Sequence, residues 1–267
     1  MKNPLIDDKF YDDKPFLTAK KSVLTSDRFV SAPEYVKDHN ITTCVLTYYG
    51  DLEDWLKKRD EYDIIASLCS GEDYHPLYAS NGILFTVPFV GGPNAAGAME
   101  EIAALGIKNF IACGSAGLID HTFDSTKMLV VESAVRDEGA SYQYAPVDVL
   151  AETDKNLTES IEKVFETHNI RYEVGKTWTT DGFYRETKKL IKQRIAEGCI
   201  AVEMECSTWC VVAKKLGVRF AQFLYFSDAV NGIDSWERFP KEYRKNLKMI
   251  MTELAYEIAK DIDEKNK

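Results

Sequence analysis

Carboxylates recur at two points of one stretch, residues 199–232, in a way that suits chemistry on a small molecule. Glu203-Met204-Glu205 follows a short buried-strand run at 200–202, and Ser227-Asp228 follows a second apolar run at 218–226, rich in aromatic and β-branched residues. Between them a helical pattern puts Ser207, Val211 and Lys215 on one face and Cys206, Cys210 and Ala213 on another, and Asn231-Gly232 is a turn signal beyond the second run. In an open α/β sheet, ligands bind beyond the carboxyl ends of strands. Acids at two such ends, joined by one crossover helix, can converge on one ligand. One can accept hydrogen bonds from hydroxyl groups, while another in an apolar pocket can hold a proton for a leaving group.

The rest of the chain supplies the elements that must hold those acids. Residues 1–40 are polar and mixed, with Pro4, Pro15 and Pro33 breaking any periodicity, and are expected to form an irregular N-terminal arm before a domain spanning 41–267. Strands are expected at 42–49, 64–68, 83–89, 108–113, 128–133 and 172–179. The first ends at Gly50, where Asp51, Glu53 and Asp54 open a short helix. A polar loop at 70–76 is placed to overhang a site. Gly91-Gly92-Pro93-Asn94 leads into a helix over 95–105, a turn whose glycines can cradle a ligand or simply connect strand to helix. Helices are also expected near 150–168 and over 235–260, the latter with Trp236, Phe239, Tyr243, Leu247, Ile250 and Met251 covering the sheet. Alternating strand and helix without repeats predict one three-layer α/β/α domain with a central mixed sheet.

Composition narrows the function. The 267 residues, 45% hydrophobic, suffice for one large core. A net charge of −10 without a basic cluster argues against nucleic acid. No apolar run approaches a membrane span and the start lacks an export signal, so an unexported, cytoplasmic protein is expected. The six cysteines are dispersed in apolar runs and read as reduced core residues; no spacing suits a metal, and no cofactor is implied.

The Val202-Glu203-Met204-Glu205 strand end, the helix after it and the Ser227-Asp228-Ala229-Val230 strand end resemble the C-terminal signature of the nucleoside phosphorylase family. That family includes purine nucleoside phosphorylases, uridine phosphorylases and methylthioadenosine nucleosidases. Gly114-Ser115-Ala116-Gly117, expected to close the strand at 108–113, resembles its Gly-Ser-x-Gly turn, with Ser115 as the phosphate or water contact. Gly91-Gly92 resembles its glycine turn, and Arg136-Asp137-Glu138-Gly139 a segment of some uridine phosphorylases. Phe183-Tyr184 resembles its Phe-Tyr segment, in which the Phe stacks on the base; plain core packing is the other reading of Phe183. The resemblance implies cleavage of the N-glycosidic bond of a nucleoside. Asp228 would be the general acid, which favours a purine, supported by Arg238. Glu205 would bind the sugar hydroxyls, Met204 would pack on the ribose and Glu203 would orient sugar or base beside Ser227. A homo-oligomer, dimer or hexamer, is also implied.

The chain departs from that pattern where relatives place arginines around phosphate. The position after Gly50 falls at or near Asp54, another at Ala112, and a third near 68–71, which holds no arginine. An acid in place of a guanidinium removes a bidentate donor and repels a dianion. Three readings follow. Inorganic phosphate is the co-substrate, held by Ser115, backbone N–H groups and a relocated cation such as Arg136 or Arg28. Alternatively water attacks, activated by Asp54 or Glu53. Or the protein binds a nucleoside without turning it over.

Overall fold

Apolar β-branched runs become strands and the amphipathic stretches between them become covering helices, over the residues that this computed structural model describes: 11, 14–59, 61–231 and 235–265. Helices α1 (Ala19–Thr25) and α2 (Ala32–Asp38) precede β1 (Thr43–Thr47), α3 (Leu52–Arg59), β2 (Asp63–Ser70), β3 (Asp73–Ser80) and β4 (Ile83–Thr86). Then come α4 (Gly92–Ala104), β5 (Asn109–Leu118), β6 (Met128–Asp137), β7 (Ala151–Glu152), α5 (Lys155–Thr167) and β8 (Tyr172–Thr180). The chain ends with α6 (Lys188–Ala196), β9 (Cys199–Glu203), α7 (Cys206–Leu216), β10 (Arg219–Asn231), β11 (Ser235–Arg238) and α8 (Lys241–Lys265).

These strands join one mixed sheet in the order β11-β10-β6-β8-β9-β5-β1-β4-β3-β2, with β7 on β6. Side-chain alternation sends successive residues to opposite faces. Cys44, Phe110, Phe220 and Leu224 pack with Met99 and Ile102 of α4 and Trp209 and Val212 of α7. Val45, Ile111, Ala221 and Phe223 pack with Leu52 of α3, Ile161 of α5 and Ile258 of α8. The mixed α/β class expected from the sequence is therefore observed. Long-range pairing adds a feature that local pattern does not contain. β10 pairs antiparallel with β6 and parallel with β5, while β6 meets β8, β8 meets β9, and β9 meets β5. Those strands close into a ring, whose seam is the short β5–β9 contact, Gly117↔Val202 and Leu118↔Ala201.

Several local expectations change. Part of the stretch expected to be irregular folds as α1 and α2, and it buries Val23, Phe29, Ala32 and Val36 in the α4 side of the core. Pro33 sits in the first turn of α2, where a missing N–H costs nothing. The residues expected as an overhanging loop at 70–76 form the tip and outgoing strand of the β2–β3 hairpin, turned at Gly71 with φ +63°. Gly114-Ser115-Ala116-Gly117 continues β5 instead of ending it, because β10 pairs along it throughout. β10 likewise runs through Ser227-Asp228, with a bulge between Phe226 and Asp228, to pair with β11. The first four residues of the expected terminal helix are that β11, and the Asn231-Gly232 turn signal falls partly outside the described residues.

Candidate active site

A cleft of about 470 Å³ opens at the end of β5, β9 and β10. Its walls include Ser115, Phe183, Glu203, Met204, Glu205, Ser227 and Asp228, all expected site residues, together with Tyr48, Glu186 and Lys248. Glu205, just after β9, and Asp228, inside β10, therefore line one hollow. A larger hollow of about 730 Å³ lies beside Tyr35 and Asp63, but its acids, Glu61 and Asp63, are exposed, so size there is not matched by chemistry.

Glu205 precedes the first turn of α7 and is 6% exposed. Its Oε1 accepts the Gly91 N–H at 2.6 Å. Gly91 has φ +95°, a conformation that glycine adopts without strain, so the glycine turn presents its N–H to the acid. Glu203, also buried, is spent on the protein itself. Its Oε1 accepts from the Thr179 hydroxyl at 2.5 Å, and its Oε2 accepts the N–H groups of Glu205 at 2.7 Å and Cys206 at 2.6 Å. It thus closes the turn into α7 and ties β9 to β8. Burial pushes both carboxyls above the usual range, and for Glu203 repulsion by Glu205 adds to it. The Tyr48 hydroxyl is buried without a hydrogen-bond partner among the described residues. Burial first, then the charges of Glu205 and Glu203, hold it well above the ordinary tyrosine range.

At the other end, Asp228 is an acceptor on both sides. The Ser227 hydroxyl donates to Oδ1 at 2.6 Å and the Trp236 indole N–H to Oδ2 at 2.9 Å. Arg238 stands across the β10–β11 ladder from Asp228, on a strand and not on the helix expected there, and it is exposed and does not line the cleft. Phe183 begins a 3₁₀ turn, Phe183–Arg185, and is 53% exposed. That exposure is at odds with core packing, and the ring centroid lies 4.3 Å from that of Tyr184.

The sequence reading missed two residues here. Glu186 follows that turn, half-buried, and its carboxyl is pushed up to about 7 by burial and by the Asp228 charge. Its signal was an acid three positions after Phe183. Lys248 reaches the cleft from α8, a helix read only as cover. Burial, then the charges of Arg244 and Arg238, lower its ammonium pKa. The turn-by-turn spacing of Arg244 and Lys248 on one helix was the available signal.

The remaining expected residues lie elsewhere. Asp54 is exposed in the first turn of α3, and Gly50 is exposed before it; neither lines the cleft. Gly92 is buried beneath α7, where a Cβ would come within 2.9 Å of Thr208 Oγ1. It is a packing glycine, and the turn glycine that reaches the cleft acid is Gly91, through its N–H to Glu205. Arg136 donates to Ser141 Oγ and to the carbonyls of Ala145, Pro146 and Val149. Arg28 pairs with Glu101 at 2.7 Å and donates to the Ser67 carbonyl. Arg28 thus ties β2 to α4 and Arg136 braces the segment after β6, and neither lines the cleft. Among the described residues no helix is long and apolar enough to cross a membrane.

Residues 53–255 match the family model of the phosphorylase superfamily, and the chain belongs to that superfamily. A guanosine phosphorylase from Halorubrum lacusprofundi is 26% identical over 192 residues, 70% of this chain and 76% of that protein. A uridine phosphorylase from Thermococcus kodakarensis is 37% identical over 107 residues, 40% of this chain and 39% of that one. The Escherichia coli uridine phosphorylase is 29% identical over 144 residues, covering 49% of this chain and 57% of its own. The alignments to the two uridine phosphorylases thus span about two fifths and somewhat over half of those proteins. In fold, the chain is similar to an AMP nucleosidase from Bacteroides thetaiotaomicron, with a TM-score of 0.66 and 20% identity over 88% of this chain and 98% of the other. These relatives are enzymes of nucleoside and nucleotide cleavage, and this chain is a member of that enzyme superfamily.

Proposed function

We propose that the cleft cleaves the N-glycosidic bond of a purine nucleoside by phosphorolysis, yielding free base and ribose 1-phosphate. The observation that carries this reading is that Glu205 and Asp228, separated in sequence by a whole helix, line one cleft of nucleoside size. The transition state of such a reaction resembles a sugar cation, with negative charge building on the departing base. Glu205 binds the ribose hydroxyls at the end held by Gly91, and Met204 packs on the sugar. Phe183 covers the base, and Asp228, with Ser227 and Arg238 beside it, assists at the base end. Phosphate is held by Ser115 and Lys248, both on the cleft wall. Arg244 and Arg238 add positive potential around Lys248. That cluster favours an anionic nucleophile over water, and Asp54, exposed and not among the cleft's lining residues, supports the hydrolytic reading less.

The test is to incubate the purified protein with inosine, guanosine, adenosine and uridine in phosphate-free buffer, then add phosphate. Base release that starts with phosphate and yields ribose 1-phosphate is expected for the purine nucleosides. Release without phosphate would make the protein a hydrolase, and tight binding without product would make it a binding protein. Asp228→Asn is expected to lower kcat by about 100-fold or more, because the charge at the base end of the cleft is lost. A variant as active as the wild type would remove Asp228 from the reaction.

A further inference from the structure

Every other carboxyl of the cleft is already engaged. Glu203 accepts from Thr179 and two N–H groups, Glu205 accepts from Gly91, and both oxygens of Asp228 accept from Ser227 and Trp236. Glu186 differs. It lines the same cleft as Phe183 and Asp228, half-buried, and no donor among the described residues hydrogen-bonds its carboxyl. A carboxyl desolvated beside a second carboxylate, with no donor to stabilise its charge, is most stable in the form that keeps its proton.

We propose that Glu186, and not Asp228, carries the proton that the leaving base takes up. This rests on the nucleoside-cleaving reading above. As a phosphate oxygen bonds to C1′, the C1′–N9 bond breaks with its electron pair staying on the purine. The Glu186 O–H then passes its proton to a ring nitrogen of that purine, leaving a carboxylate that takes a new proton from water once the base departs. Asp228, held as an acceptor, keeps Glu186 protonated through its charge. The charged groups of the cleft beside Glu186 are Asp228 on β10, with Arg238 opposite it on β11, Glu203 at the end of β9, Glu205 after it, Lys248 on α8, and its own chain neighbours Arg185 and Lys188. Of these, Asp228 is the charge that acts on it, and with burial it brings the Glu186 carboxyl to about 7, suited to proton transfer at neutral pH.

The experiment compares two substrates across pH 5 to 9 with saturating phosphate: inosine, whose base needs a proton to leave, and p-nitrophenyl β-D-riboside, whose leaving group needs none. For the wild type, kcat/KM on inosine is expected to fall as pH rises through about 7, by roughly tenfold per pH unit as the acid form is depleted. Glu186→Gln is expected to lower inosine turnover about 100-fold and abolish that pH limb. The same variant is expected to cleave the nitrophenyl riboside within about threefold of wild type, and Glu186→Asp to retain part of the limb. Equal losses on both substrates, or an inosine limb that survives in Glu186→Gln, would overturn the assignment. Should the wild type cleave neither substrate, the function proposed for the cleft fails first, and the assignment with it.

Discussion

Two glutamates two positions apart in one strand end do different work, and their variants are expected to separate. Glu203→Ala strands two buried N–H groups and a hydroxyl, a loss of about 1–3 kcal/mol for each unsatisfied donor that water cannot reach. A lower Tm is its expected signature. Glu205→Gln removes a repelled buried charge, so Tm is expected to hold or rise, while kcat/KM falls by about 100- to 1000-fold as a charged contact to the sugar is lost. Thermal scans and steady-state kinetics on both variants check this. Glu186 gives a prediction of a different kind. Its folded-state pKa of about 7 lies above the roughly 4.3 of a free glutamate, so its contribution to stability is full below about 4.3 and is lost as pH rises through about 7. Between pH 5 and pH 8, Glu186→Gln is therefore expected to lose less Tm than the wild type. The acids at 205 and 228 were legible in the sequence because spacing and strand ends mark them. The division of labour was not, since it depends on which donors from β8 and from the turn before α4 arrive at each carboxyl.

At the level of elements, glycines in α4 separate packing from propensity. Gly92→Ala would force a Cβ to within 2.9 Å of Thr208 Oγ1 and 3.1 Å of the Ala140 Cβ, so α4 must part from α7 at about 1–3 kcal/mol. Gly97, mid-helix with open space around it, is expected to stabilise by about 0.5–1 kcal/mol when replaced by alanine. Opposite shifts of Tm in the two variants are the result to look for. Most strands and helices were readable from apolar runs and their period, and errors cluster where pairing partners are distant. Ser115 was expected in a turn closing its strand and Asp228 at a strand end, because glycines, or a serine and an aspartate, follow an apolar run there. Yet β5 and β10 sustain each other past those residues, and β11 extends the pairing further. α1 and α2 were missed because Pro15 and Pro33 read as breakers, although Pro15 lies before α1 and Pro33, in the first turn of α2, starts a helix.

Across the whole molecule, the closed ring of strands was not legible, because each of its links joins residues far apart in the chain. Gly117 lies at its seam. A Cβ there would stand 3.1 Å from Val202 Cγ1 and 3.2 Å from Asp228 Oδ2, pressing on β9 and on the base end of the cleft together. Gly117→Ala is expected to cost about 1–3 kcal/mol of stability and to lower kcat in the same protein, measured by thermal melting and by base release. Unchanged kcat beside a lowered Tm would separate the seam from the chemistry. Glu205 follows β9 on one lip of this clasp and Asp228 lies on β10 at the other. A strain that springs the clasp therefore widens the gap between them before it melts any helix, and catalysis becomes the earliest gauge of the fold's integrity.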